Sequence, residues 1–134
     1  MPIRITLIED NPADVYLLEE ALRTHGVVFE MDWIADGEQG LARLSNLGDG
    51  ALPNLILLDL NLPKVDGKEL LAAIRRIPAL RDTPVAILTS SDSPSDRRDT
   101  EALGADCYIK KPPTLDEFLA IGRVIKDLVS GVAL

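Results

Sequence analysis

The chain is poor in the side chains that staple and stain a protein. Among 134 residues there is one cysteine, Cys107, and one histidine, His25, and aromatic residues make up 4%. A lone cysteine excludes an intrachain disulfide and suits a reducing compartment. No apolar run approaches the ~20 residues that a membrane-spanning helix needs. The start, Met1-Pro2-Ile3-Arg4, carries no signal-peptide pattern. A cytoplasmic protein with no membrane partner is therefore expected. Positive charge is scarce too: 14 Lys and Arg against 22 Asp and Glu give a formal net charge of −8. Such a surface repels phosphate backbones, so nucleic acid is not an expected partner.

What is present is an alternation. Short apolar runs at about 3–8, 29–34, 55–58, 85–88 and 106–109 alternate with helix-like segments. This is the βαβα pattern of a parallel sheet with helices on both faces. The 55–58 run, Leu-Ile-Leu-Leu, lacks alternation and reads as a central strand. The 29–34 run, Phe-Glu-Met-Asp-Trp-Ile, reads as an edge strand on which Trp33 packs. The first helix is expected from Pro12 to His25, stopped by Gly26. Asp36, Ser93 and Thr114 are placed to cap the second, fourth and fifth helices, and Glu117 could complete a capping box with Thr114. Gly48-Asp49-Gly50 reads as a loop. The five units use residues 1–134, so a single domain with no separate output domain is expected.

The apolar runs stop at residues that phosphoryl chemistry uses. The first ends at Glu9-Asp10, the third at Asp59, the fourth at Thr89, and the fifth leads through Lys110 to Lys111-Pro112. In an open parallel sheet these C-terminal ends share one edge, where ligands bind. A hard cation such as Mg²⁺ wants oxygen ligands. Asp10 and Asp59 can each give a carboxylate oxygen, Asn61 a backbone carbonyl, and Glu9 can hold a metal-bound water. Asp59, ending the central strand, is the natural nucleophile toward phosphorus. Lys111 and Thr89 could bind the phosphoryl oxygens. Each residue also has a plainer reading: acids favour a helix start, Thr89 can end a strand, and Lys111 can be a solvated cation. Their conjunction at strand ends favours the site. His25, at the end of a helix, is a poor phosphodonor or ligand, and Cys107 reads as packing.

These residues resemble the receiver domains of two-component response regulators. The match runs over roughly residues 3–130. It rests on Glu9-Asp10, Leu57-Leu58-Asp59, Pro63 with Asp66-Gly67, Leu88-Thr89-Ser90, Gly104-Ala105, and Tyr108 with Lys111-Pro112. Asp59 and Thr89 lie 30 residues apart, and Thr89 and Lys111 lie 22 apart. The resemblance implies a flavodoxin-like (βα)5 fold with strand order 2-1-3-4-5. It implies that Asp59 accepts phosphate from a histidine kinase, with Mg²⁺ required. It further implies a cis bond before Pro112, and the choice of Lys111 over Lys110 because the former precedes the proline. Glu9 stands where many members carry Asp. Segments 9–14, 61–67 and 107–118 are similar to single-domain regulators encoded beside bacterial or cyanobacterial phytochromes, which makes such a phytochrome a candidate kinase.

The resemblance also implies a switch in which Thr89 turns toward phosphorylated Asp59 and Tyr108 fills the vacated space, altering the face of the fourth helix, fifth strand and fifth helix. The last helix has its own signal. Leu115, Phe118, Leu119, Gly122, Ile125 and Val129 form one face, and Ile121, Val124, Leu128 and Val132 widen it. Either this surplus supports a homodimer or partner contact, or it belongs to a frayed tail. Three further functions compete. An aspartyl phosphatase would want an acid two residues after Asp59, where Asn61 stands, so a conventional turnover enzyme is not expected. Nucleotide hydrolysis is disfavoured because no G-x-x-x-x-G-K-[ST] loop exists. A phosphorylation-independent module would be expected to lose Asp10, Asp59, Thr89 or Lys111, and none is lost.

Overall fold

The computed structural model describes residues 2–48 and 52–132, with side chains to Ser130. Asp49 and Gly50 of the expected loop, and the Val132 side chain, lie outside these described residues. The strands are β1 (Ile3–Ile8), β2 (Phe29–Ile34), β3 (Leu55–Leu58), β4 (Val85–Thr89) and β5 (Cys107–Lys110). The helices between and after them are α1 (Pro12–Thr24), α2 (Gly37–Ser45), α3 (Gly67–Arg75), α4 (Pro94–Ala102), α5 (Leu115–Leu119) and α6 (Ile121–Val132). All pairings are parallel and the order is β2-β1-β3-β4-β5.

Period-two alternation divides the sheet into two cores. On one face Ile5, Leu7, Leu55, Leu57, Ala86 and Leu88 meet Val15, Leu18 and Leu22 of α1 with Phe118, Ile121 and Ile125 of α5 and α6. On the other, Ile8, Ile56, Leu58, Val85 and Ile87 meet Leu44, Leu70, Leu71 and Ile74. β3 is fully buried, as a strand covered on both faces must be. The helix starts follow from local chemistry. Asn11, Asp36, Asp66, Ser93 and Thr114 each accept a hydrogen bond from an amide of the first turn that follows. His25 caps the end of α1, and Gly26 at φ +72° reverses the chain into β2.

Some details were not foreseen from the sequence. Pro78–Leu80 forms a short 3₁₀ turn that drops Leu80 into the core. The last helix is two, divided at Ala120. The division precedes a very close approach: a Cβ on Gly122 would lie 2.1 Å from the Ala21 carbonyl oxygen of α1. That contact sets the rotation of α6 and turns Ile121 and Ile125 inward. Ile121 is therefore core, correcting its expected place on an interface; Val124 is exposed and Leu128 half-buried against the core. Leu115, expected on the packed face, is exposed instead. No helix among the described residues is long and apolar enough to cross a membrane.

α4 is anchored differently from its neighbours. Thr100 is its only buried side chain. Polar contacts hold it: Lys68 Nζ lies 2.7 Å from Asp96 and 2.8 Å from Asp99, and the Arg97 guanidinium stacks 4.5 Å above the Tyr108 ring.

Candidate functional site

The ladder bonds run on past the strands and gather their ends. The Asp59 amide donates to the Ile8 carbonyl (3.1 Å) and the Lys111 amide to the Thr89 carbonyl (2.7 Å). Glu9, Asp59, Thr89 and Lys111 are thereby held along one edge. Lys111 Nζ lies 2.6 Å from Glu9 Oε1, 2.8 Å from Asp14 Oδ2 and 3.1 Å from Asp59 Oδ2. Lys110 points away, toward Asp92 at 3.4 Å. The Asn61 amide donates to Asp59 Oδ1 (3.0 Å), and its side-chain Nδ2 donates to Thr89 Oγ1 (3.1 Å). Thr89 is fully buried and also accepts from the Ser91 amide at 3.3 Å. Asp10 is exposed at the mouth of the cleft, which Asn61, Ser90 and Pro112 also line.

The expected cis bond before Pro112 is not found: no cis peptide occurs among the described residues. An X–Pro bond prefers trans by roughly 0.5–1 kcal/mol, and the trans chain already delivers Lys111 to all three carboxylates. Tyr108 is half-buried, and its hydroxyl donates to the Ser91 carbonyl at 2.9 Å. It thus touches the same β4–α4 loop whose Ser91 amide bonds Thr89. Two members of the site escaped sequence reasoning. Asp14 sits four residues after Asp10, one turn into α1, and only that spacing could have suggested it. Trp33 was expected merely to pack; its indole N–H donates to the Glu9 carbonyl at 2.6 Å.

Four carboxylates and one ammonium cannot all take their ordinary charge states. Burial pushes the Glu9 carboxyl up to about 7, with the Asp59 charge adding to it against the pull of Lys111. Burial opposes ionisation of Asp59 as well. The Asn61 amide, the Lys111 charge and the Glu9 carboxyl outweigh it and hold Asp59 below the usual carboxylate range. Burial works against the Lys111 ammonium, but Asp14, Glu9 and Asp59 raise its pKa overall. Lys111 is therefore firmly charged and Asp59 ionised.

A hard divalent cation fits this donor set. Oxygens of Glu9, Asp10 and Asp59 all lie within 4.8 Å of one another, and every donor is oxygen, as Mg²⁺ or Mn²⁺ requires. Glu9 Oε1 is also turned into the cleft beside the ammonium. It is near Lys111, yet it is the only buried side-chain oxygen or nitrogen among the described residues without an aligned hydrogen bond.

Comparison with known proteins agrees with this geometry. Residues 5–122 match the response regulator receiver domain family. Response regulator Rcp1 of Synechocystis is 40% identical over 129 residues, covering 94% of this chain and 88% of that protein. Its Mn²⁺-bound crystal structure superposes with a TM-score of 0.84 at 38% identity, covering 94% and 93% of the two chains. The phosphorylated cyanobacterial phytochrome response regulator RcpA superposes with a TM-score of 0.89 at 37% identity, covering 100% and 98%. The receiver domain of the sensor histidine kinase PA1611 from Pseudomonas aeruginosa, with magnesium coordinated in its active-site cleft, gives 0.76 at 27%, covering 97% and 99%.

Proposed function

This chain belongs to the response regulator receiver domain family, and on that premise we propose that it is a phosphoacceptor switch whose phosphorylated residue is Asp59. The observation that carries the reading is the position of Asp59: ionised, 4% exposed, and 3.1 Å from a charged Lys111. An Asp59 carboxylate oxygen attacks the phosphorus of a phosphohistidine. The P–O bond forms as the P–N bond breaks, and the departing imidazole nitrogen keeps the electron pair. The product is an acyl phosphate.

The residues around Asp59 suit this step. The Asn61 amide fixes one carboxylate oxygen, leaving the other beside Lys111. The Lys111 ammonium then pairs with a phosphoryl oxygen, and the Thr89 hydroxyl donates to another. Glu9, Asp10, Asp59 and the Asn61 carbonyl would hold Mg²⁺, which supplies charge neutralisation for the transferred group. To reach the phosphoryl group Thr89 must give up its contacts with Asn61 and Ser91, and Tyr108, bonded to the same loop, follows. The face built from α4, β5 and α5 carries that change to a partner or a second copy of the chain. No side-chain acid stands two residues after Asp59, so loss of the phosphoryl group relies on slow attack by water. The phosphodonor is a sensor histidine kinase, and similarity to the phytochrome response regulator RcpA favours one of the phytochrome kind.

Intact-mass spectrometry after incubation with acetyl phosphate and Mg²⁺ tests the reading. One added phosphoryl group is expected, absent from Asp59→Asn and from a chelator control. Persistence of the adduct in Asp59→Asn would reject Asp59 as the acceptor.

A further inference from the structure

The Glu9 carbonyl stands where the β1–β2 ladder runs out. β1 and β2 pair in register up to Ile8 opposite Ile34, and the Glu9 amide still donates to the Ile34 carbonyl at 3.1 Å. The next donor in a parallel ladder would be the Asp36 amide. Asp36 has already turned away to cap α2, accepting from the Glu38 and Gln39 amides. Its place is taken by a side chain. Trp33, 42% exposed on the edge strand, donates its indole N–H to the Glu9 carbonyl at 2.6 Å.

That carbonyl belongs to the peptide that carries Asp10. The neighbouring restraints on this turn are the Glu9 amide bond to β2, the Asn11 amide on Glu9 Oε2 at 3.3 Å, and the Asn11 cap of α1. The Glu9–Asp10 peptide leads into the Asp10 side chain, whose carboxylate oxygen lies within 4.8 Å of those of Glu9 and Asp59. A large indole left 42% exposed at a strand end contributes less to the core than a buried one would. Its specific feature is the N–H, and the N–H is spent on this one carbonyl.

We propose that Trp33 is a positioning residue for the cation site, its indole N–H locking the Glu9–Asp10 peptide so that the Asp10 carboxylate converges with Glu9 and Asp59. The inference rests on the cation site proposed above and adds a residue that does not touch the ion.

Trp33 is the only tryptophan, so it gives a single indole N–H resonance in a ¹H–¹⁵N spectrum. Protection from solvent exchange is expected in the metal-free protein, with a shift on addition of Mg²⁺. Mn²⁺ affinity, read by electron paramagnetic resonance, is compared among the wild type, Trp33→Phe and Asp10→Asn. Trp33→Phe keeps a ring and removes the donor. It is expected to weaken Mn²⁺ binding about three- to tenfold, the range for loss of one hydrogen bond, with a urea transition without metal that is lowered but still cooperative. Asp10→Asn is expected to weaken it further. Wild-type Mn²⁺ affinity in Trp33→Phe beside weakened Asp10→Asn would overturn the Trp33 inference alone. Unchanged affinity in Asp10→Asn would overturn the cation site itself. An indole proton exchanging at the rate of free tryptophan would reject the lock whether or not Trp33→Phe folds.

Discussion

Lys111 meets three carboxylates at once, and a fourth, Asp10, stands nearby, so a proton has to settle somewhere in the cluster. It settles on Glu9, whose pKa burial raises to about 7. Because the folded pKa lies above the ordinary 4.5, the folded state binds more protons than the unfolded one between these values. Stability of the metal-free protein should therefore fall as pH rises from about 5 to 8 and then level off. Asp59 shifts in the opposite direction, so its contribution is complete above its ordinary carboxylate pKa and is lost only at lower pH. Urea midpoints measured without metal across that range should decline for the wild type and stay nearly flat for Glu9→Gln. Cys107 offers a second check. Half-buried, with burial the main cause of its raised pKa, it should alkylate at pH 8 at least about tenfold more slowly than free cysteine, and reach the free rate in urea. Asp59, Thr89 and Lys111 were legible because each ends or follows an apolar run, where topology alone gathers side chains. Asp14 and Trp33 were not. Asp14 meets a lysine 97 positions away and Trp33 a carbonyl 24 away, and no local pattern announces either contact.

Among the elements, α6 and α4 mark two extremes of attachment. α6 presses its backbone onto α1 at Gly122, where a Cβ would meet the Ala21 oxygen at 2.1 Å and the His25 ring at 2.7 Å. Gly122→Ala must push the helices apart and should cost about 1–3 kcal/mol, seen as a lower urea midpoint at unchanged slope. α4 has one buried side chain and is clamped by Lys68 instead. Its amides should exchange with deuterium faster than those of α1, and Lys68→Met should speed them further; equal rates in the variant would show that the clamp is idle. Helix starts were readable because Asp36, Ser93 and Thr114 act on their own next turn. The division at Ala120 and the inward turn of Ile121 were hidden, because the phase of α6 is set by a contact with a distant helix. An apolar stripe reveals that a face packs, not how much of it.

Across the whole molecule, short apolar runs with capped helices between them were enough to read a parallel α/β sheet. The order β2-β1-β3-β4-β5 came from family resemblance, since no residue in a strand names its neighbour. The trans bond before Pro112 shows where resemblance stopped being a guide. One property belongs to no single element. The chain carries a net charge of −8, and the cleft proposed to receive a phosphoryl donor is rimmed by acids. An anionic donor approaching through dilute solution meets a repelling field well before Lys111 can act on it. The local concentration of small anionic donors at the cleft is lowered accordingly. At saturating Mg²⁺, phosphorylation by dianionic acetyl phosphate should quicken as monovalent salt is raised from about 10 to 150 mM, because the Debye length contracts over that interval. A protein donor bearing its own positive patch would cancel the repulsion at the point of contact. The acidic exterior would thus sort phosphodonors by charge, discouraging stray anionic metabolites while leaving a matched kinase unhindered.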